Sequence, residues 1–476
     1  MNGHKAAPGE ELNSPMNSKP AVSQSGEARP PGPPGPFFRL LISALRNPLG
    51  ELIRLHREYG PIVTMRRDLT FLVAHPDGIK HVLQDNHTNY VKGSRYRRAL
   101  SLLMGDGLLT AEGEAWKLQR RLAQPAFLRK QHAHFAATLT RHTSPLVDEI
   151  CRYARENQPF DLHHRLAHHS LTIMLDLMFS EDLGERSEEL ASAFLAAEGT
   201  LNIARVFLPV TLPLSVPTPG HLRFRGALKV LDGYIHGVIA ARRNSGVERS
   251  DLLSMYLSAH DEETGDVLSD QLVRDEMITL LSAGHETVSD AITWAFYELI
   301  NHPAAYDRVC AEADALSSDA AASFAEPPPN SFIAMVFLEA LRLYPPGWGF
   351  LRTAIHDDNI LGFRIPAGCR LILSPYVIHR DSAVWKDPDV FDPERFSTER
   401  SAGRHRFAWF PFSGGPRQCI GAGLALMEAH ITLTAISRVV RLEMMPGTRI
   451  RPLPRVSLKP DRPVMVRARL RPGGAA

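Results

Sequence analysis

Apolar residues recur at helical spacing through most of the chain. Leu171, Met174, Leu175 and Met178 fall on one face of a helix. The same pattern predicts helices over roughly 76–84, 114–124, 140–155, 162–180, 187–204, 221–243 and 270–301. A further helix runs from Ser331 to Tyr344 and is stopped by Pro345 and Pro346. A last one starts near Gly421. Strand-like runs are short: Val63 to Met65 and Phe71 to Val73 flank the polar turn Arg66-Arg67-Asp68. Others are expected near 352–355, 361–365 and 370–374, with strand and turn over 455–470. The reading is mainly α with a small β region.

Composition narrows the function classes. The 476 residues carry 54 Lys and Arg against 52 Asp and Glu, a net charge of +2. That balance argues against a nucleic-acid binder held by bulk electrostatics. Four cysteines argue against a disulfide scaffold. No run of about 18 uncharged apolar residues is present, and residues 1–30 lack the apolar core of a signal peptide. The expectation is a soluble, cytoplasmic protein with no stable membrane anchor. Eight of the 36 prolines lie in the first 36 residues. Residues 1–36 therefore read as a flexible, Pro-rich N-terminal tail ending in a stiff spacer, Pro30 to Pro36. From Phe37 the composition is uniform, so 37–476 is expected to be a single domain. The apolar run Val206 to Leu214 joins two long helices and reads either as a buried loop or as a lid over a hydrophobic site.

Candidate chemistry concentrates in Phe412-Ser413-Gly414-Gly415-Pro416-Arg417-Gln418-Cys419-Ile420-Gly421. A glycine-rich loop here presents one cysteine before a helix, and a helix N-terminus stabilises a thiolate. No second cysteine lies nearby, which disfavours zinc and iron–sulfur sites; a single thiolate suits an axial heme ligand. The run resembles the heme-binding signature of the cytochrome P450 monooxygenases, with Phe412, Gly415, Arg417, Cys419 and Gly421 in place. The resemblance implies the single-domain cytochrome P450 fold, with heme b (iron protoporphyrin IX) as cofactor and Cys419 as its metal ligand. Cys151, Cys310 and Cys369 have no such context.

The middle of the 270–301 helix, Ala283-Gly284-His285-Glu286-Thr287, interrupts its apolar pattern. Small residues and an acid beside an alcohol would make a groove with a proton supply, and Thr287 can bond back to the Ala283 carbonyl; the alternative is a solvated polar turn with a helix-packing glycine. Ser269 is the expected N-cap and Asn301-His302-Pro303 the end. The stretch is similar to the family's oxygen-binding helix. That similarity implies that Thr287 steadies dioxygen and that Glu286 helps deliver protons, the two catalytic candidates.

Glu339 and Arg342 fall at i and i+3 among Phe337, Leu338, Leu341 and Leu343, which suggests a buried pair. They resemble the family's Glu-x-x-Arg motif, and Arg395 resembles its downstream partner, completing a structural ion cluster. For the heme carboxylates, the resemblance points to Trp116, Arg120, Arg352 and Arg417 as cofactor-binding residues. It also suggests a substrate pocket of Leu109, Ala283, Trp348, Phe350 and Val456, joined by Leu102, Leu103 and Phe207, with Arg95, Arg97 and Arg98 near its mouth. His379 is left as a structural histidine.

The implied enzyme is a heme-thiolate monooxygenase. It inserts one oxygen atom of O2 into a C–H bond or double bond of a small hydrophobic substrate such as a fatty acid, terpenoid or polyketide, in secondary metabolism. Electrons would come from a separate ferredoxin or flavodoxin with its reductase, docking near Arg404, His405 and Arg406, and the chain is expected to be a monomer. The alternatives are a peroxide-driven or non-oxygenating heme-thiolate enzyme, a heme-binding sensor, and a hydrolase using Cys419 as nucleophile.

Overall fold

The computed structural model describes residues 28–35, 37–66, 69–180, 186–199, 212–246, 249–260, 265–316 and 330–472. The first 27 residues of the expected tail, Phe207 and most of the apolar run around it, and Arg67 and Asp68 of the predicted turn lie outside them, as does the Arg95 side chain.

Helices dominate, and one organises the rest. Asp270–Asn301 spans 32 residues, about 48 Å at 1.5 Å per residue. Its bounds match the sequence expectation because both end signals are real. The Ser269 hydroxyl accepts the Leu272 N–H at 3.2 Å, and Pro303 begins a new helix, Pro303–Ala315, instead of continuing the old one. The first half of the long helix, with Met277, Ile278 and Leu281, packs into a core shared with Leu162–Phe179, Arg186–Glu198 and Pro219–Ser245. Its second half, with Val288, Ile292, Trp294 and Phe296, enters a second core with Phe332–Leu343 and Ala422–Val439.

A third core lies under the main sheet. Its strand order is Ile62–Arg66, Thr70–Val73, Arg370–Leu373, Phe350–Ala354, Tyr90–Val91. Only Thr70–Val73 and Arg370–Leu373 pair in parallel, Val73 facing Leu373. A three-stranded sheet near the C-terminus is ordered Phe160–Asp161, Met465–Leu470, Val440–Met444.

Sequence periodicity missed the two helices before the sheet, Phe37–Arg46 and Pro48–Tyr59. The second is short, yet Asn47 caps it, Pro48 fits its first turn, and Leu49, Leu52 and Leu55 are buried. The helix expected from residue 140 starts at His132 and carries Pro145 inside it. The end of the Pro-rich tail is also not loose where it is described. The Pro31 carbonyl accepts the Thr64 N–H at 2.7 Å, the Pro30 carbonyl accepts the Thr64 hydroxyl at 2.7 Å, and the Ala28 carbonyl accepts the Arg364 N–H at 3.2 Å. Pro30 and Pro31 thus lie against the edge strand Ile62–Arg66, while Ala28 bridges to Phe363 on the strand Phe363–Ile365. Proline offers no N–H, so the strap covers that edge without creating another.

Candidate active site

The cysteine loop is fixed by close backbone approaches. Gly415 has φ of +66°, and a Cβ there would lie 1.9 Å from the Leu83 carbonyl oxygen; only glycine fits. The Cys419 N–H donates to the Phe412 carbonyl at 2.9 Å, closing the loop just before the Ala422–Val439 helix. Cys151, Cys310 and Cys369 are buried, whereas the Cys419 side chain is exposed. The surrounding protein still pushes the Cys419 thiol up, with the Gly421 N–H and the Arg120 charge pulling it back.

The ion cluster anchors this loop from behind. Glu339 and Arg342 are both 0% exposed and pair bidentately, Nε to Oε2 at 2.7 Å and Nη2 to Oε1 at 2.8 Å. Arg395 Nε lies 3.4 Å from Glu339 Oε1. Arg342 also donates to the carbonyls of His379, Pro388 and Val390. His379 continues the line: its Nδ1 meets the Arg342 carbonyl at 3.1 Å, and its Nε2 accepts the Phe410 N–H at 3.1 Å. Burial, with the Arg342 charge beside it, keeps this histidine neutral, well below its usual range. The cluster therefore holds the residues entering the cysteine loop.

Cations gather on the other side. The Arg417 guanidinium lies over the Trp116 ring at 4.2 Å; it donates to the Ala111 carbonyl at 3.0 Å and pairs with Glu112. Arg352 is 7% exposed, and burial with the Arg417 charge lowers it to about 10. Lys92 donates to the Leu109 carbonyl. Burial, then the Arg417, Arg352 and Arg97 charges, drives it well below the usual lysine range, against the pull of Glu112. Among the described residues Lys92, Arg352 and Arg417 all draw on the Glu112 carboxylate, with the Arg97 charge beside them, and buried charge without counter-charge is costly. This surplus fits a group bringing two carboxylates, and heme does. Sequence reasoning found Trp116, Arg352 and Arg417 but missed Lys92 and Glu112. Arg97, expected near the pocket mouth, donates to the Thr110 carbonyl at 2.7 Å. Arg120 meets the Gln418 carbonyl at 3.1 Å, next to Cys419.

On the long helix, the Thr287 hydroxyl donates to the Ala283 carbonyl at 2.7 Å, as its spacing predicts, and Ala283 is exposed on the same face. Gly284 serves a different purpose from the expected groove. A Cβ there would lie 2.6 Å from Met174 Sδ, so its missing side chain admits the Leu162–Phe179 helix. Glu286 is paired with Lys459 at 2.7 Å, a partner no motif signals.

Among the pocket candidates, Trp348 donates from its indole to the Arg455 carbonyl at 3.0 Å, which brings it beside Val456, itself 45% exposed. Leu109 and Phe350 are half-buried, while Leu103 is fully buried core. At the proposed docking edge, Arg404 is committed inward, over the rings of Trp385 and Phe396. Arg406 remains exposed and donates to Gln418 Oε1 at 3.0 Å. Among the described residues no helix is long and apolar enough to cross a membrane.

The chain is similar to known proteins along most of its length. The family model described as Cytochrome P450 matches residues 30–467. Cyclooctatin synthase of Streptomyces melanosporofaciens is 34% identical, covering 86% of both chains. Pentalenene oxygenase of Streptomyces avermitilis is 30% identical over 86% of this chain and 90% of its own. The crystal structure of the cytochrome P450DA heme domain superposes with a TM-score of 0.81 at 23% identity, covering 94% of this chain and 98% of that one, a likeness of fold.

Proposed function

The chain belongs to the cytochrome P450 family and is a heme-dependent monooxygenase, and from that premise we propose that it hydroxylates a cyclic terpenoid with electrons from a separate ferredoxin or flavodoxin and its reductase. The observation that carries the reading is the exposed Cys419 beside a buried surplus of cations. The terpenoid class is supported by pentalenene, the compound in the name of the pentalenene oxygenase relative, and by the apolar candidates Leu109, Ala283, Trp348, Phe350 and Val456.

In this reading Cys419 would ligate the iron. Lys92, Arg97, Arg352 and Arg417 would hold the heme carboxylates, with the Trp116 ring beneath Arg417. Bound heme supplies the oxidising chemistry that no side chain can provide. The chain does the rest: the apolar residues orient the substrate and exclude water, while Thr287 and Glu286 hold and pass protons. Arg406 and neighbouring surface near Cys419 offer the electron donor a place to dock.

Two spectra test this. The reduced protein treated with carbon monoxide should show the thiolate-type Soret band, and Cys419→Ala should lose it. Pentalenene, or another cyclic terpene, should shift the ferric protein from low to high spin at lower concentration than a long-chain fatty acid. Absence of the thiolate band from a folded, heme-loaded sample would overturn the ligation. A preference for the fatty acid would overturn the terpenoid class.

A further inference from the structure

Three consecutive residues of the C-terminal hairpin grip three successive turns of the long helix. Lys459 Nζ donates to Glu286 Oε1 at 2.7 Å. The Ser457 hydroxyl donates to the Asp290 carboxylate. The Trp294 indole donates to the Leu458 carbonyl at 3.0 Å. Positions 286, 290 and 294 are four apart and share a helix face. The hairpin itself pairs Pro452–Pro454 with Leu458–Pro460, so Arg455, Val456 and Ser457 form its tip. The tip is held from the other side by Trp348, and the Leu458 N–H donates to the Pro346 carbonyl at 3.1 Å.

The charges around Lys459 are unusual for a structural brace. Glu286, Asp290 and Glu198 all act on this one ammonium. Burial works against its charge, but the carboxylates outweigh burial and raise Lys459 above the ordinary lysine value. Burial pushes Glu198 and Asp290 upward as well. His163 Nε2 meets Asp290 Oδ1 at 2.7 Å, and His285 Nε2 lies 3.9 Å from Glu198 Oε2. Lys459 is one-third exposed, and an ion pair that open to solvent contributes little stability. What it does contribute is placement, because the ammonium fixes where the Glu286 carboxylate sits relative to Thr287, one residue along.

We propose that Lys459 is a positioning residue for proton delivery, and that the hairpin carrying it ties the placement of Glu286 to whatever touches the tip at Val456. The proposal rests on the reading of Glu286 and Thr287 as the proton-passing pair. Each proton leaving Glu286 toward Thr287 is replaced by one from solvent, and Lys459 keeps its own throughout. A ligand displacing the tip would shift Ser457 and Lys459 together, since only Leu458 separates them.

The test compares Lys459→Met, Lys459→Arg, Ser457→Ala and Glu286→Gln in the heme-loaded protein, driven by a ferredoxin and its reductase. The readouts are the share of electrons released as hydrogen peroxide and the solvent deuterium isotope effect on electron consumption. Lys459→Met should raise both several-fold, Lys459→Arg should restore them, and Ser457→Ala should give a smaller rise. In the heme-free chain, amide exchange over residues 284–290 should speed up in Lys459→Met and not in Lys459→Arg. If Glu286→Gln changes peroxide release while Lys459→Met leaves both turnover readouts at the original values, the positioning role is overturned. If Glu286→Gln also changes nothing, the reading of Glu286 itself falls. A poorly folded Lys459→Met leaves Ser457→Ala to decide, since it keeps the lysine and loosens only the hairpin.

Discussion

Arg417 sits over the Trp116 ring, 4.2 Å from its centroid, and is also bound to Glu112. Two residues from distant parts of the chain are thereby locked before any cofactor carboxylate arrives. Arg352 is the contrasting case: its guanidinium donates only to the neighbouring Leu351 carbonyl at 2.9 Å among the bonds described, and burial with the like charge of Arg417 outweighs the pull of Glu112 on it.

That contrast predicts opposite effects of one substitution. Arg352→Leu should raise the melting temperature of the heme-free chain, because a buried charge among like charges is removed. It should weaken heme retention, since a hydrogen bond to a charged group is worth about 1.5–3 kcal/mol. Calorimetry of the heme-free chain and heme transfer to an acceptor protein measure the two. A lower melting temperature without heme would mean that Arg352 is a brace for the strand Phe350–Ala354 instead.

Local signals were legible, long-range partners were not. Ser269 and Pro303 mark the long helix because caps and prolines act within a few residues. Glu339 and Arg342 sit one turn apart, so their pairing could be read from spacing. Lys92 and Glu112 belong to the cation cluster only because a sheet edge and a helix start converge on Arg417, which spacing does not encode. Gly284 stays ambiguous in the sequence because a missing side chain looks the same whether it opens a groove or packs a helix, and only the approach of Met174 decides for packing. Lys459 was invisible because nothing about a lone lysine in a hairpin names its partner.

The ion cluster predicts asymmetric losses. Glu339→Gln leaves Arg342 and Arg395 without their carboxylate in a site of 0–6% exposure and should cost about 3–5 kcal/mol. Replacing the pair together, Glu339→Leu with Arg342→Met, should recover part of that loss. Recovery should stay incomplete, because the carbonyls of His379, Pro388 and Val390 lose their donor. Denaturant titration of the three proteins checks the order. Equal stability of Glu339→Gln and the original would show that the pair contributes nothing.

Glu276, on the long helix, predicts a pH dependence. It is fully buried, and neither carboxyl oxygen has a hydrogen-bond partner among the described residues. Burial raises it from 4.5 to about 8; the Leu108 N–H, outside bonding geometry, pulls the other way without reversing the shift. The native state therefore keeps a proton that the unfolded chain gives up above pH about 4.5. Stability falls as pH rises from about 4.5 to about 8 and levels off above, each pH unit of separation being worth about 1.4 kcal/mol. Glu276→Gln should thus stabilise the protein more at pH 8 than at pH 5. Melting temperatures across that window decide it, and a pH-independent difference would mean that Glu276 finds a partner.

The proline strap predicts a sensitivity far from the site. A Cβ on Gly32 would lie 2.1 Å from the Thr64 carbonyl oxygen, so Gly32→Val cannot keep the strap on the edge strand. Lifting it frees the Thr64 N–H, which Pro31 now occupies, and uncovers Ile62–Arg66 as an edge that another chain can pair with. Gly32→Val should therefore be cut faster by protease near residues 28–35 and should aggregate more on warming, with the heme spectrum unchanged. If cutting is faster but aggregation is not, the strap is only a tether and the edge protects itself.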